Sequence, residues 1–466
     1  MKYTAINIGP IIKTLGMARK PRELWAASYM FSYLMKCIYE EAECKNIKII
    51  SPTKPEGKLG KTGLYPDRIY MEGEVEANGI LMKATEKFYA DLYCEGYRSS
   101  NNPDMDYFNL MSVACDAEQE SCAIAKLNQL LDVMELCDYA ADSDAAQTIY
   151  NIISKKKFSS LFHLSTDKDK LPIDDLETIA KVQLSKHKDL KMKSHHKYFC
   201  VVQADGDNVG KTVSHKDLKD GQIHTISEAL VKFGKKAAEL IENFGGLPIY
   251  AGGDDLLFIA PVIGEDGRNI FDLVNELETK AFAGVTDAVK ACELKDENNN
   301  NIEASLSFGI SISYYKYPLY EALESARKLL FEKAKQIKQK KAIAWSFRKH
   351  SGGTFDAAFS LKENKLQQAF IELIKATTEE TVVSAVAHKI REHEALVNVV
   401  LESNELSRLD ALFDKTLEFQ DNDYFKSVKK IMPILFKVIG ENDYISLLYS
   451  LLRTAKFIKG EDLRDE

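Results

Sequence analysis

Eight cysteines are present, yet no two are spaced as Cys-x-x-Cys. Cys37 and Cys44, like Cys115 and Cys122, stand seven residues apart, which suits neither a zinc module nor a disulfide framework. Free thiols in a reducing compartment are expected. No apolar run approaches the ~20 residues of a membrane span. The opening Met-Lys-Tyr-Thr-Ala-Ile lacks the charged-then-apolar layout of a secretion signal. A cytoplasmic protein without a membrane partner is the expectation. An excess of positive charge is missing too. The 62 Lys and Arg against 70 Asp and Glu leave a net charge of −8, unlike a free-standing, sequence-specific DNA binder. A local basic groove would still serve a nucleic-acid partner. Residues 181–197 and 328–349 are the two basic stretches, each equally readable as a solvated face.

What is present describes a globular chain. Hydrophobic residues make up 45% and charged residues 28% of 466 positions. That length suits about three or four domains. Near the N-terminus a short strand, 3–8, precedes Gly9-Pro10 and two amphipathic helical stretches, the second over about 21–41. A Lys, Gly and Pro-rich loop follows over 51–66, then a possible strand over 68–72, and 99–104 reads as a linker. From Tyr107 to about Ile179 the pattern is mainly helical.

The stretch 197–352 is the most legible. Tyr198 to Ala204 is an apolar run suited to a buried strand, and 223–244 has helical periodicity ending at Gly245-Gly246, a good C-cap. Leu247–Ala251 and Leu256–Pro261 flank Gly252-Gly253-Asp254-Asp255 as a hairpin. A helix over 271–292, a strand over 304–313, a helix over 320–338 and a final strand over 342–347 complete the order. Its core is the split βαβ, ferredoxin-like arrangement. The fold class is therefore α+β, and the chain beyond about 360 reads as helical.

In that arrangement the first and third strands are antiparallel neighbours. Asp205, at the end of the first strand, then stands beside Asp254 and Asp255 on the hairpin. Hard oxygen ligands at such density suit two Mg²⁺ or Mn²⁺ ions, and two ions are what phosphoryl transfer uses to activate a hydroxyl and neutralise a leaving group. Gly252 and Gly253 free the turn to take positive φ and admit a nucleotide. Gly206, Asp207, Asn208 and Lys211 follow the first strand and offer N–H groups and a cation to phosphate. Asp207 could equally cap the next segment. Lys328 and Lys335, two turns apart, could reach a triphosphate or form a solvated helix face.

Four motifs carry a resemblance: Gln203-Ala-Asp-Gly-Asp-Asn-Val-Gly210, Tyr250-Ala-Gly-Gly-Asp-Asp-Leu-Leu257, Ser305-Leu-Ser-Phe-Gly-Ile310 and Pro318-Leu-Tyr-Glu-Ala-Leu323. They resemble the palm domain of the large polymerase-cyclase subunit of type III CRISPR effector complexes, the Cmr or III-B variety in particular. Ile8-Gly-Pro-Ile11, Ala18-Arg-Lys-Pro-Arg-Glu-Leu-Trp-Ala-Ala-Ser28 and Leu64-Tyr-Pro-Asp-Arg-Ile69 resemble the first, degenerate palm of the same subunit. The resemblance divides the chain into a first palm over 1–104, a mainly helical middle over 105–196, a catalytic palm over 197–352 and a helical end over 353–466. It implies that Asp205, Asp254 and Asp255 hold the metals and that the Ser28 region helps form a second nucleotide pocket. It further implies ATP as substrate and cyclic oligoadenylate, an antiviral second messenger, as product. CRISPR RNA, target RNA and other Cmr subunits are the implied partners, with a small helical subunit at the C-terminal end. In some branches S-adenosylmethionine is the co-substrate. Many members begin with a His-Asp nuclease domain, whereas this sequence opens at the first palm and contains no His-Asp dipeptide, so nuclease activity is not expected. Two other readings stand beside this one: a diguanylate-cyclase-like synthase of cyclic dinucleotides, and an inactive RNA-binding scaffold.

Overall fold

The computed structural model describes residues 1–55, 62–93, 107–136, 147, 149–151, 175–377, 380–409, 423–440 and 443–460. The expected linker at 99–104 lies outside them. Among the described residues ten strands form two sheets, joined by helices that are named below where they matter.

The first sheet contains β1 (Lys2–Gly9), β2 (Ile49–Ser51), β3 (Arg68–Glu72) and β4 (Asn109–Asp116) in the order β2-β3-β1-β4. That is the ferredoxin-like order. Here β4 corrects the sequence reading. It was expected within a mainly helical stretch and beyond the first palm's boundary at 104, yet it pairs with β1 along its whole length, from Lys2↔Asp116 to Gly9↔Asn109. Its polar alternation, Asn-Leu-Met-Ser-Val-Ala-Cys-Asp, hid a half-covered strand among helical neighbours.

The second sheet runs β10-β9-β8-β5-β7-β6, from β5 (Tyr198–Asp207), β6 (Leu247–Gly252), β7 (Asp255–Pro261), β8 (Ser305–Tyr314), β9 (Ala342–Arg348) and β10 (Thr354–Ser360). Strands β6, β7, β5 and β8 repeat the ferredoxin-like order. β9 adds parallel to β8, and β10 adds antiparallel to β9. β10 was not expected, and it carries the sheet past the boundary drawn at 352.

Both faces of this sheet are covered, which explains why β5 and β7 read as continuous apolar runs. Cys200, Val202, Ala204, Leu256 and Phe258 face helix residues Ile226, Phe233 and Ile241. The intervening Phe199, Val201, Leu257 and Ile259 join the core of the first palm. Between the two sheets lies the helix Pro21–Cys44, with 19 of its 24 residues buried. It was expected to be amphipathic. Packed against both sheets, it keeps a solvent strip only near its C-terminal end, at Lys36, Glu40, Glu43 and Cys44, and over the rest of its length buried residues run all round the axis.

The C-terminal helices are not an autonomous bundle. Trp345 on β9 donates from Nε1 to Thr454 Oγ1 at 3.1 Å, and Phe347 stacks on Phe457 with centroids 3.9 Å apart. Residues of 366–458 share one hydrophobic core with the palm sheet. Among the described residues no helix is long and apolar enough to cross a membrane. The described cysteines, Cys37, Cys44, Cys115, Cys122, Cys200 and Cys292, are all free thiols.

Candidate active site between the two palms

The open end of β5 and the β6–β7 hairpin meet as the topology requires. Ala204 pairs with Leu256, so Asp205 and Asp255 stand one step further out on adjacent strands. Gly253, at φ +64°, makes the turn. Gly252 does not have positive φ. A Cβ there would lie 2.5 Å from the Tyr250 hydroxyl, so its smallness makes room for that ring. Gly206 has a comparable reason, because a Cβ there would meet Asp254 Cβ at 2.6 Å. The hairpin carboxylate thus lies directly on the end of β5.

These carboxylates disturb one another. Burial and then the charge of Asp205 push Asp254 up from the ordinary carboxylate range to about 7. Asp255 also moves up, through burial and the charges of Asp254, Asp205 and Asp67. Asp255 is exposed towards a cavity, so water there tempers the burial part of its shift, while the neighbouring charges act in the same direction.

A cation answers them. Lys335 Nζ donates to the carbonyls of Asp205 and Gly206 at 3.0 and 2.9 Å and to Asp207 Oδ1 at 2.9 Å, and it forms an ion pair with the Asp205 carboxylate. Burial alone would lower its pKa, but Asp205 and Asp207 carry it above the ordinary lysine value. Among the described residues no three Asp, Glu, His or Cys side chains are arranged to hold a metal ion as they stand. With Lys335 on Asp205, the lysine ammonium supplies the positive charge.

Several other sequence-derived candidates find different work. Asp207 is turned into the protein, and the cap position of the next helix falls on Asn208. The Asp207 side chain is 1% exposed and accepts from Ser305 Oγ, Ser307 Oγ and the Lys341 N–H at 2.9, 2.7 and 2.9 Å, besides Lys335. Asn208 sits at φ +65° and gives its Nδ2 to Glu303 O at 3.0 Å. Lys211 is exposed, and its charge helps to lower the pKa of Asp296. Lys328 and Lys335 do not share a helix face. A helix covers Leu319–Lys328, a π turn spans Leu329–Lys333 and a 3₁₀ turn follows over Ala334–Gln336. The change of pitch leaves Lys328 at the surface beside Glu324, 3.8 Å away, while Lys335 enters the site.

A cavity of about 360 Å³ opens between the palms, with Asp205 and Asp255 among its lining residues. Ser28 lines it from the buried central helix. Most of the remaining wall is apolar or aromatic, including Ile11, Phe31, Tyr250 and Leu323. Sequence reasoning missed Asp67, which lines the same cavity. The first-palm loop that carries it docks on the β6–β7 hairpin: the Ala251 N–H donates to Gly63 O at 3.0 Å, and Ser32 Oγ accepts the Tyr65 N–H at 2.9 Å. Its signal in the sequence was its place immediately before the third strand of the first palm, matching Asp255 in the second.

Two ferredoxin-like sheets facing each other across a carboxylate-lined cavity define a two-palm protein. Residues 198–344 match the second palm domain of Cas10/Cmr2, and residues 3–57 match the N-terminal region of CRISPR-associated protein Cmr2. The Cmr subunit Cmr2 of Pyrococcus furiosus is 32% identical over 184 residues, which cover 34% of this chain and only 19% of that protein. A chain of the type III-B Cmr-beta complex bound to cognate target RNA aligns over 98% of this chain and 83% of its own, with a TM-score of 0.60 at 12% identity. A chain of a Csm1–Csm4 cassette in complex with cA4 aligns over 98% and 69%, with a TM-score of 0.50 at 11% identity. At such identities these two likenesses concern the fold. The two family matches, over residues 198–344 and 3–57, and the curated relative all point to one family, Cas10/Cmr2, in its Cmr variety.

Proposed function

We propose that this chain is a nucleotidyl transferase of a type III-B CRISPR effector complex, joining ATP-derived nucleotides into a second messenger when target RNA is bound. The observation that carries this reading is the convergence of Asp205, Asp254 and Asp255 at one end of the interpalm cavity. The charge of Asp205 raises the proton affinity of Asp254 and Asp255, and the three carboxylates form a donor set suited to hard divalent cations. Asp205, Asp254 and Asp255 would hold Mg²⁺ or Mn²⁺. When bound, such ions neutralise triphosphate charge and make an attacking hydroxyl more acidic. The chain's own residues do the rest. The hairpin orients the carboxylates, Asp207 and the two carbonyls hold Lys335 beside Asp205, and the apolar walls exclude water from the nucleotide.

Cyclic oligoadenylate is the proposed product, in keeping with the cA4 in the Csm1–Csm4 relative. Other Cmr subunits, CRISPR RNA and target RNA are the proposed partners, with a small helical subunit at the C-terminal helices. The test is mass spectrometry of products from ATP, with and without target RNA and S-adenosylmethionine, in the reconstituted complex. Asp254→Ala with Asp255→Ala is expected to abolish the product and leave RNA binding intact. Unchanged product in the double variant would sink the assignment. A cyclic dimer made from GTP by the chain alone would favour a diguanylate-cyclase-like enzyme instead.

A further inference from the structure

The registers of the two sheets place Asp67 at a defined position. In the second palm Ala204 pairs with Leu256, and the next pair outward is Asp205 with Asp255. In the first palm Asn7 pairs with Arg68, and one step outward the Ile8 N–H donates to Asp67 O at 3.1 Å. Ile8 therefore stands where the second palm has Asp205, and Asp67 stands where it has Asp255. Pro66 takes the place of Asp254. The first palm thus presents one carboxylate with no companion of its own for sharing an ion, and this carboxylate lines the cavity.

We infer that Asp67 is a specificity residue for the nucleotide held between the palms, its carboxylate accepting a hydrogen bond from a ribose hydroxyl. The inference rests on the nucleotidyl-transfer reading and adds to it the residue that selects the ribose of its substrate. Three observations support it. The cavity is apolar along most of its wall, with Ile8, Ile11, Leu15, Phe31 and Leu323 suited to a flat base, and its polar groups include Asp67, Asp205 and Asp255. A ribose is the part of a nucleotide that offers hydroxyl donors to a carboxylate, and acidic side chains read ribose hydroxyls in dinucleotide sites in the same way. The loop 63–67 is held on both sides, by the Gly63–Ala251 hydrogen bond and by Ser32 under Tyr65, so the carboxylate is presented on a fixed support.

The experiment is equilibrium binding of ATP, 2′-deoxy-ATP and 3′-deoxy-ATP to the full chain in Mn²⁺, with the nucleotides checked for integrity by mass spectrometry. ATP is expected to bind about tenfold or more tighter than one of the deoxy analogues, which identifies the hydroxyl that Asp67 reads. Asp67→Ala is expected to bring all three within about twofold, and the isosteric Asp67→Asn to reduce the preference while keeping the native melting temperature. Mn²⁺ affinity without nucleotide is expected to stay within about twofold of wild type in Asp67→Asn and to fall in Asp254→Asn. Equal binding of the three nucleotides by wild type, or a preference that survives Asp67→Ala, would overturn the inference and leave the transferase reading standing. A loss of Mn²⁺ affinity in Asp67→Asn matching that of Asp254→Asn would overturn it in favour of a metal ligand. If wild type binds none of the three nucleotides, alone or in the reconstituted complex with target RNA, the transferase reading fails and this inference with it.

Discussion

Asp254 and Asp207 lie within three residues of strand ends that meet, yet their surroundings give them opposite tasks. Asp254 is crowded by Asp205 and has its pKa raised to about 7, against about 3.9 when unfolded. The folded state then binds more protons than the unfolded state between those values, so this group's contribution to stability falls as pH rises through the window. Without divalent ions, Asp254→Asn is expected to stabilise the chain increasingly from pH 4 to pH 8, read as the difference in melting temperature from wild type. Added Mn²⁺ should shrink that difference at pH 8, and a difference flat with pH would refute the crowding argument. Asp207 instead accepts four hydrogen bonds in a buried setting. Asp207→Ala leaves two hydroxyls and an N–H without their acceptor and removes one of the partners of the Lys335 ammonium, and should cost about 3–5 kcal/mol in urea unfolding. A loss under about 1 kcal/mol would show that water replaces the carboxylate there.

At the scale of elements, the last helix, Tyr444–Lys459, depends on a pair of buried histidines. His196 Nδ1 accepts the Lys193 N–H at 2.8 Å and its Nε2 faces Gln183 Oε1 at 2.8 Å, an arrangement that needs the neutral ring. His195 packs edge-on against it with both ring nitrogens lacking a hydrogen bond, and the backbone of Phe457 and Ile458 lies close by. Burial lowers His195 to about 3 and His196 to about 4. The unfolded state therefore takes up protons first, and stability present above about pH 6.5 is lost as pH falls towards these values. Protection factors of amides in 444–459, taken against the intrinsic rate at each pH, are expected to fall between pH 6.5 and 4 more than those in the core of β5. A uniform fall across both would remove the histidines as the cause. Elements also show where sequence reading stopped. β5, β7 and β9 were legible as apolar runs buried on both faces, β6 through the hairpin it shares with β7, and β8 through its alternation. β4 and β10 were not, because each lies at or near a sheet edge with polar residues on one side. The helix over 320–338 was legible in position but not in pitch, since nothing in its composition marks a π turn.

For the whole molecule, the two palms and the C-terminal helices share their cores. The central helix Pro21–Cys44 belongs to the first palm by sequence and packs against β6 of the second. Its Leu34 is fully buried, and Leu34→Ala should cost about 2–5 kcal/mol and lower the single melting transition of both palms together. Two transitions, with the second palm unmoved, would show independent domains. Removing residues 444–466 should likewise destabilise the palm sheet through the loss of Phe457 on Phe347, rather than leave the palm intact as a free helical bundle would.

Local pattern was enough to order the strands of the second palm, and the ferredoxin-like order brought Asp205 to Asp254 and Asp255. That inference needs only strand sequence and register, which follow from period-two burial and the hairpin. Motifs in the first palm pointed to a family but carried no chemistry of their own. Only the tertiary structure decided that Lys335 enters the site and Lys328 does not, that Asp207 is consumed by Ser305, Ser307 and Lys341, and that Asp67 shares a cavity with Asp255 of the β6–β7 hairpin. The physical reason is shared. Each of these depends on contacts between segments separated by dozens to hundreds of residues, at angles set by helix pitch and sheet packing. A side chain's direction across such a gap leaves no periodic trace in the sequence.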